Sequence, residues 1–385
     1  MPRFEVSARA LVVASALQLI LPRVVRAEGT VSYKFVSWRE EEDRIRVDSQ
    51  YGSVEDTLPA EVKVKLTGVL DSIAGATPTG ELTPGDDGKL PTSEIDDYRK
   101  AWEANASRQF GAFNLALGFA NSRESDYVSN GWSVNTQTEL NQKNTTLLLG
   151  VAGTQDKVKV FFQRPWEKKR TTDFIAGVTQ LLNPETSLNV DIGYGRSRGY
   201  LSDPYKLIEE NVPVEDGLLL RTFGENRPRE REKWTAFVGV NHAFTALNAA
   251  IDGSYRFYHD SFGINAHTVS IQWLQKLIND RLVLIPSIRF YQQTAAEFYR
   301  LSLDGTGFVP SGTPNPAGPF YSADFRLSHM RTTTLGIKAV VNVIPDRLTI
   351  DASYERYLMR GRDGVTPGEA YVDANNISVE ASFHW

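Results

Sequence analysis

The chain contains no cysteine. Disulfides, thiolate metal sites and cysteine nucleophiles are therefore excluded. Long hydrophobic runs are missing too. The apolar stretch at residues 10–21 is too short for a membrane helix, and no later segment offers the roughly 20 apolar residues that a helix needs. The formal net charge of -5 is small, and no basic tract of the kind that follows nucleic acid is present. The five histidines, His242, His259, His267, His329 and His384, come without an HExxH or GxSxG motif. Mean hydropathy is -0.32. A soluble protein shares such a value, and so does a membrane barrel in which only every second strand residue meets lipid.

What is present begins with a secretory signal pattern. Arg3 and Arg9 give a basic start, residues 10–21 an apolar stretch, and Val25-Arg26-Ala27 a small-residue cleavage site. Residues 1–27 are expected to be removed, leaving 28–385 as one domain. Aromatics make up 11%, with 29 glycines and 18 prolines, which suits strands joined by many turns.

The last ten residues set the pattern. Ile377, Val379, Ala381, Phe383 and Trp385 alternate with Ser378, Glu380, Ser382 and His384, a period of two with one apolar face. Similar alternation recurs at Val62, Val64 and Leu66; at Phe113, Leu115, Leu117 and Phe119; at Leu188, Val190, Ile192 and Tyr194; and at Leu348, Ile350 and Tyr354. Short connections, such as 141–144, 182–185, 244–246, 278–280 and 344–346, take turns with longer ones at 72–97, 155–169, 200–230, 298–320 and 361–370. Short turns on one rim and long loops on the other are how outer-membrane barrels are built, with turns periplasmic and loops extracellular.

The fold class is therefore all-β: a transmembrane antiparallel up-and-down β-barrel of about sixteen strands, with fourteen or eighteen left open. The segment 44–54 is charge-rich and reads as a weak strand, and 158–162 as a strand extension or a loop element. No globular segment precedes the first strand at 30–38, so no separate plug is expected. Residues 81–91 and 306–319, rich in Gly, Pro and Thr, are expected to be mobile and without structure.

The polar face carries Lys63, Lys65, Glu103, Glu139, Asp191, Asp252, Arg256, Arg289, Lys338, Asp351, Glu355 and Glu380. In lipid each would cost several kcal/mol, so these residues are expected to line the lumen. Phe383 and Trp385 are expected to form the assembly signal read by the barrel assembly machinery.

Polar-aromatic clusters stand where strands meet long loops. They include Asp71-Ser72-Ile73-Ala74-Gly75-Ala76-Thr77-Pro78, Gly199-Tyr200-Leu201-Ser202-Asp203-Pro204-Tyr205-Lys206 and Tyr255-Arg256-Phe257-Tyr258-His259-Asp260-Ser261-Phe262-Gly263. In these segments the chain resembles the outer-membrane β-barrels catalogued as a domain of unknown function, number 3570, over nearly its whole mature length. The resemblance implies fold and location. It also implies a small lipoprotein, a thioredoxin-like protein or a flavin-attaching enzyme as neighbours in an exported redox system. The chain itself carries no flavin-acceptor or haem-attachment motif, and no cofactor is assigned.

Interfacial girdle and loop architecture account for these clusters. The alternative reading is that Asp71, Asp126, Asp203 and Asp260 converge at the mouth and hold Ca²⁺, an ion that prefers oxygen ligands. No compact calcium-loop motif accompanies them, so no metal is assigned. His259, Asp260 and Ser261 contain triad residue types, but neighbours on a strand point to opposite faces. The leading functional reading is a non-enzymatic barrel acting as scaffold or conduit among outer-membrane lipids. A general diffusion porin, narrowed by loop 72–97 or 200–230, is the alternative, and an outer-membrane hydrolase the second alternative.

Overall fold

A strand with apolar residues on one face and polar residues on the other must give each face its own solvent. The computed structural model describes residues 29–42, 44–85, 88–160, 166–215, 217–310 and 314–385. In it these strands close into a ring. The first half of the chain runs through β1 (Gly29–Glu40), β2 (Arg46–Leu58), β3 (Val62–Pro78), β4 (Thr92–Phe110), β5 (Phe113–Arg123), β6 (Tyr127–Leu140), β7 (Thr145–Val158), β8 (Glu167–Asn183) and β9 (Thr186–Gly199). A separate hairpin follows, β10 (Leu207–Val214) with β11 (Gly217–Gly224). The wall then continues through β12 (Glu230–Phe244), β13 (Ala249–Asp260), β14 (Asn265–Leu277), β15 (Leu282–Gln293), β16 (Met330–Ile344), β17 (Leu348–Gly361) and β18 (Asp373–His384). Among the described residues sixteen strands form one closed antiparallel barrel, with β9 paired to β12 and β1 to β18. The seam registers Val31 with Phe383 and Lys34 with Glu380. It is finished by reciprocal backbone bonds between Gly29 and Trp385 of 3.3 and 3.2 Å. The expected signal segment lies outside the described residues, as do 161 and 162 of the expected element at 158–162. Val158 itself ends β7.

The outer wall is apolar. Leu66, Leu117, Phe119, Leu149, Ile192, Leu335, Ile337, Ile377 and Val379 are all exposed there. Tyr194 and Trp234 pack at 4.6 Å toward one rim, and Phe244 and Trp273 at 5.5 Å toward the other. These rings belong to the aromatic girdles usual at the two membrane interfaces. One rim carries only short turns, among them 111–112, 184–185 and 345–347. The other carries the connections 79–91, 159–166, 200–229, 294–329 and 362–372.

Two sequence expectations change. The loops expected at 72–97 and 155–169 are shorter at their bases, because the ladder continues above the lipid, whereas the one expected at 298–320 is longer and runs 294–329. Ser72 pairs with Tyr98, and the pairing runs on to Pro78 with Thr92, leaving only 79–91 as loop. Above the lipid the alternation inverts. Outward Ser72, Glu94 and Asp96 meet water, while inward Ile73 and Ile95 are buried. The same inversion hides β2, which is a full thirteen-residue strand although 44–54 looked weak. Its outward Arg46, Asp48 and Gln50 stand above the apolar band, in register with Arg39, Ser37 and Phe35. Gly199 marks such a transition at the end of β9: its φ is +115°, and a Cβ there would lie 2.1 Å from the Lys168 carbonyl oxygen.

The facing of the wall yields a test. Leu117→Arg on the lipid side of β5 should lower stability by about 2–4 kcal/mol, whereas Lys65→Gln in the lumen should change it by less than about 1 kcal/mol. Urea titration of barrels folded into vesicles measures both. Equal losses would contradict the assignment of faces.

Candidate functional site: the capped mouth

With its apolar side chains turned to lipid, the wall leaves no conventional core inside it. The buried apolar clusters lie instead at the long-loop rim. Ile208, Leu303, Tyr321 and Ala323 form one, and Phe262, Ile264, Ala296, Phe298 and Leu327 another. A third joins Phe325, Met330, Met359, Ala370, Tyr371 and Val372. Each fully buried large side chain contributes roughly 1.5–3 kcal/mol. The loops thus pack as a small globular cap over the bore, built from the connections between strands rather than from a separate plug segment.

Backbone and side-chain bonds tie the cap across the ring. The β9–β12 connection reaches β3, nearly opposite on the barrel. Leu207 N–H donates to Thr79 O at 2.9 Å. The buried Lys206 ammonium donates to Thr77 Oγ1 at 3.1 Å and to the Pro78 carbonyl. Leu303 N–H donates to Glu209 O at 2.8 Å, and Asn226 and Tyr321 exchange backbone bonds of 2.9 and 2.8 Å. Segments expected to be mobile are held as well. Thr83 donates through N–H and Oγ1 to the Glu209 carboxylate, and Asn315 O accepts from Asn226 Nδ2 at 3.0 Å.

A buried ionic network sits at the centre. Arg227, about a tenth exposed, places Nε 2.6 Å from Glu225 Oε1 and Nη2 2.7 Å from Asp324 Oδ2. Arg326 Nη2 bridges Asp324 at 2.6 Å and Asp203 at 2.5 Å. Ser322 Oγ donates to Glu225 Oε2 at 2.5 Å, and Arg227 N–H donates to Ser202 Oγ at 3.1 Å. Three carboxylates meet two guanidinium groups. Burial pushes the Glu225 carboxyl up to about 7; Arg227 opposes the rise, and Asp324 and Asp203 add to it.

The four aspartates picked from the sequence do not share one site. Asp71 is paired with Arg99, Asp203 with Arg326, and Asp260 with Arg231 and the Tyr258 hydroxyl. Asp126 accepts from the Tyr205 hydroxyl. Its neighbours are Asp97 and Glu124, whose carboxylate oxygens lie with its own inside 4.8 Å. The residues that could hold a hard cation are therefore these three, brought together by β4 and the β5–β6 turn. Sequence reasoning missed Asp97 because it lay in a presumed loop. His259 is exposed on the outer wall with Nδ1 2.9 Å from Asn265 Oδ1, while Asp260 is fully buried on the inner side. The two face away from each other.

In the wall, the polar residues alternate with the exposed apolar ones and turn inward. Lys63 pairs with Glu55 at 2.5 Å, Lys34 with Glu380 at 3.8 Å, and Lys338 with Asp351 at 3.1 Å. Asn105 Nδ2 donates to Glu103, Asn376 Nδ2 to Glu355, and Arg256 to Thr268 Oγ1. Asp191 is buried, with Oδ1 in the space a Cβ on Gly177 would need. Lys65, Asp252 and Arg289 remain half-buried or exposed on the inner face. The lumen below the cap is thus lined by both signs of charge. Phe383 and Trp385 face outward at the short-turn rim, 6.5 Å apart.

The chain belongs to the family described as Protein of unknown function (DUF3570), whose model matches residues 2–167 and 161–373. No curated protein matches it. Among solved structures it is similar to CdiB from Acinetobacter baumannii, with a TM-score of 0.52 and 9% identity over 92% of this chain and 60% of that one. It is also similar to a bacterial polysaccharide outer membrane secretin, with a TM-score of 0.51 and 9% identity over 94% of this chain and 100% of that one. At such identity the likeness shows the fold alone, an outer-membrane β-barrel. The chain spans about 60% of the CdiB chain.

The raised Glu225 carboxyl predicts a pH effect on the cap. Its neutral form is favoured in the folded cap, so its contribution is full below the ordinary value of 4.5 and is lost as pH rises through about 7. Amide exchange in 200–229, corrected for intrinsic rates, should show tighter protection at pH 5 than at pH 8, and Glu225→Gln should flatten that difference. An unchanged pH profile in the variant would contradict the role of Glu225.

Proposed function

We propose that this member of the family is a non-enzymatic outer-membrane barrel that works with its outer mouth closed, as a scaffold or conduit for a partner on the periplasmic side. The observation that carries this reading is the cap itself. A general diffusion pore has no use for a mouth filled by apolar clusters and a buried Arg227–Glu225–Asp324 network. The polar inner wall beneath it, with Lys63, Lys65, Arg289 and Glu380 facing inward, suits the docking of a polar segment from below. The resemblance to the family suggests a small lipoprotein or thioredoxin-like redox protein as that partner. A porin is the second reading, favoured by the same mixed-charge inner wall. The hydrolase reading loses its nearest support, since His259 and Asp260 stand on opposite faces.

Planar bilayers separate these readings. The intact barrel should give no steady stepwise conductance. Arg227→Met, which strips the counter-charge from two buried carboxylates, should loosen the cap by about 3–5 kcal/mol and produce openings. Steady conductance from the unaltered barrel would establish the porin reading instead. Recovery of the barrel alone from native membranes in gentle detergent would count against the partner.

A further inference from the structure

We propose that the outer wall of β1–β5 carries a binding site for a phosphorylated glycolipid of the outer leaflet. Strand register places Tyr33, Gly52, Gly68, Trp102 and Asn121 side by side on the lipid-facing surface. Gly52 and Gly68 are direct cross-strand partners, and a Cβ on either would meet nothing within 4 Å. Between the exposed rings of Tyr33 and Trp102 the wall is therefore hollowed into a groove of about 400 Å³. Below it the wall continues as Val31, Val54, Leu66 and Phe119, all exposed apolar side chains.

The groove ends at two cations. One row nearer the long-loop rim, Lys100 stands directly opposite Arg123, and both line the groove. Like charges in directly opposed positions on a sheet repel, so the pair is unfavourable without an anion between its members. Among the described residues neither has a carboxylate partner. Elsewhere on the same rim the opposed cations Arg39 and Arg46, Arg170 and Arg198, and Arg331 and Arg360 each have one member on an acid. Arg46 is bound to Asp48, Arg198 to Glu230 and Arg360 to Asp373. Lys157 and Lys168, also opposed on this rim, likewise carry no acid partner among the described residues; what sets Lys100 and Arg123 apart is that they border an apolar hollow.

These features fix the chemistry of the occupant. A free phosphate would not use the groove, and a neutral lipid would not use the cations. An amphiphile with a phosphate at the head and an acyl chain below it uses both. The cation row also offers Gln50, which accepts from the Tyr33 hydroxyl at 3.1 Å, and the neighbouring row Asn121, which donates to Asn130 at 2.9 Å. Such amides bond readily to sugar hydroxyls. Position at the long-loop rim puts the site in the outer leaflet. Headgroup phosphate would lie between Lys100 and Arg123, the sugar along Gln50 and Asn121, and one acyl chain over Gly52 and Gly68. The site is independent of the closed mouth and stands whichever role the lumen has.

The test is lipid binding by the intact barrel in nanodiscs, read by native mass spectrometry and by thermal shift. Bisphosphorylated diglucosamine lipid is compared with its dephosphorylated form and with phosphatidylglycerol. The phosphorylated glycolipid should bind best. Binding should fall roughly 10- to 30-fold in Lys100→Gln/Arg123→Gln, which removes two surface cations. Gly68→Leu, which fills the groove and leaves the charges in place, should weaken binding on its own and keeps the test open if the double variant folds poorly. Equal binding of the dephosphorylated glycolipid, equal binding of phosphatidylglycerol, or no effect of Gly68→Leu would each overturn the assignment.

Discussion

Hydrocarbon offers backbone N–H and C=O groups no partner, and every structural feature of this protein follows from that constraint. Strands can cross only if the ladder closes, so β1 must find β18 and β9 must bridge the hairpin to find β12. Closure in turn commits each strand to one outer and one inner face. The outer face meets lipid along the span and takes up the apolar residues. The inner face receives charges that pair across strands, such as Lys63 with Glu55 and Lys338 with Asp351. A barrel built this way has no core of its own, and the long loops supply one.

The loops do so where the solvent outside changes. At the lipid's edge the alternation turns over: outward positions become Ser72, Asp96, Arg331 and Arg360, and inward ones Ile73, Ile95, Met330 and Met359. Those inward residues are the footing on which the cap packs. The ionic network then fills the middle, where an apolar seal alone would leave the polar backbone of crossing loops unpaired. Its arginines bridge the connections 200–229 and 294–329, so the network also fixes how those two loops meet. Burying these charges is justified more by that specificity than by net stability.

This division explains what could be read from the sequence. The wall was legible because Val62, Val64 and Leu66, or Ile377, Val379 and Ala381, repeat one local rule. The count of about sixteen strands and the two kinds of rim followed from it. The ends of the strands were not legible, since the inversion above the lipid breaks the pattern at 72–78 and 92–97 and in β2. The cap was least legible. Arg227 and Asp324 are far apart in the chain, and the β10–β11 hairpin, with Glu209, Glu210 and Pro213 among its apolar residues, has no lipid face to impose alternation. Asp71, Asp203 and Asp260 were recognised as rim residues, but their arginines lie on other segments, and no local spacing announces Arg99, Arg326 or Arg231.

The central claim is that the extracellular loops form a folded seal. The absence of native cysteine makes it directly measurable with single introduced thiols. Ala323, at 4% exposure, lies in the cap's interior, and Val309, at 85%, on its surface. In whole cells treated with a membrane-impermeant maleimide, Val309→Cys should react at the rate of a free thiol. Ala323→Cys should stay unlabelled until the cap is unfolded. Labelling of both at similar rates would mean that the mouth is open, and would contradict the account.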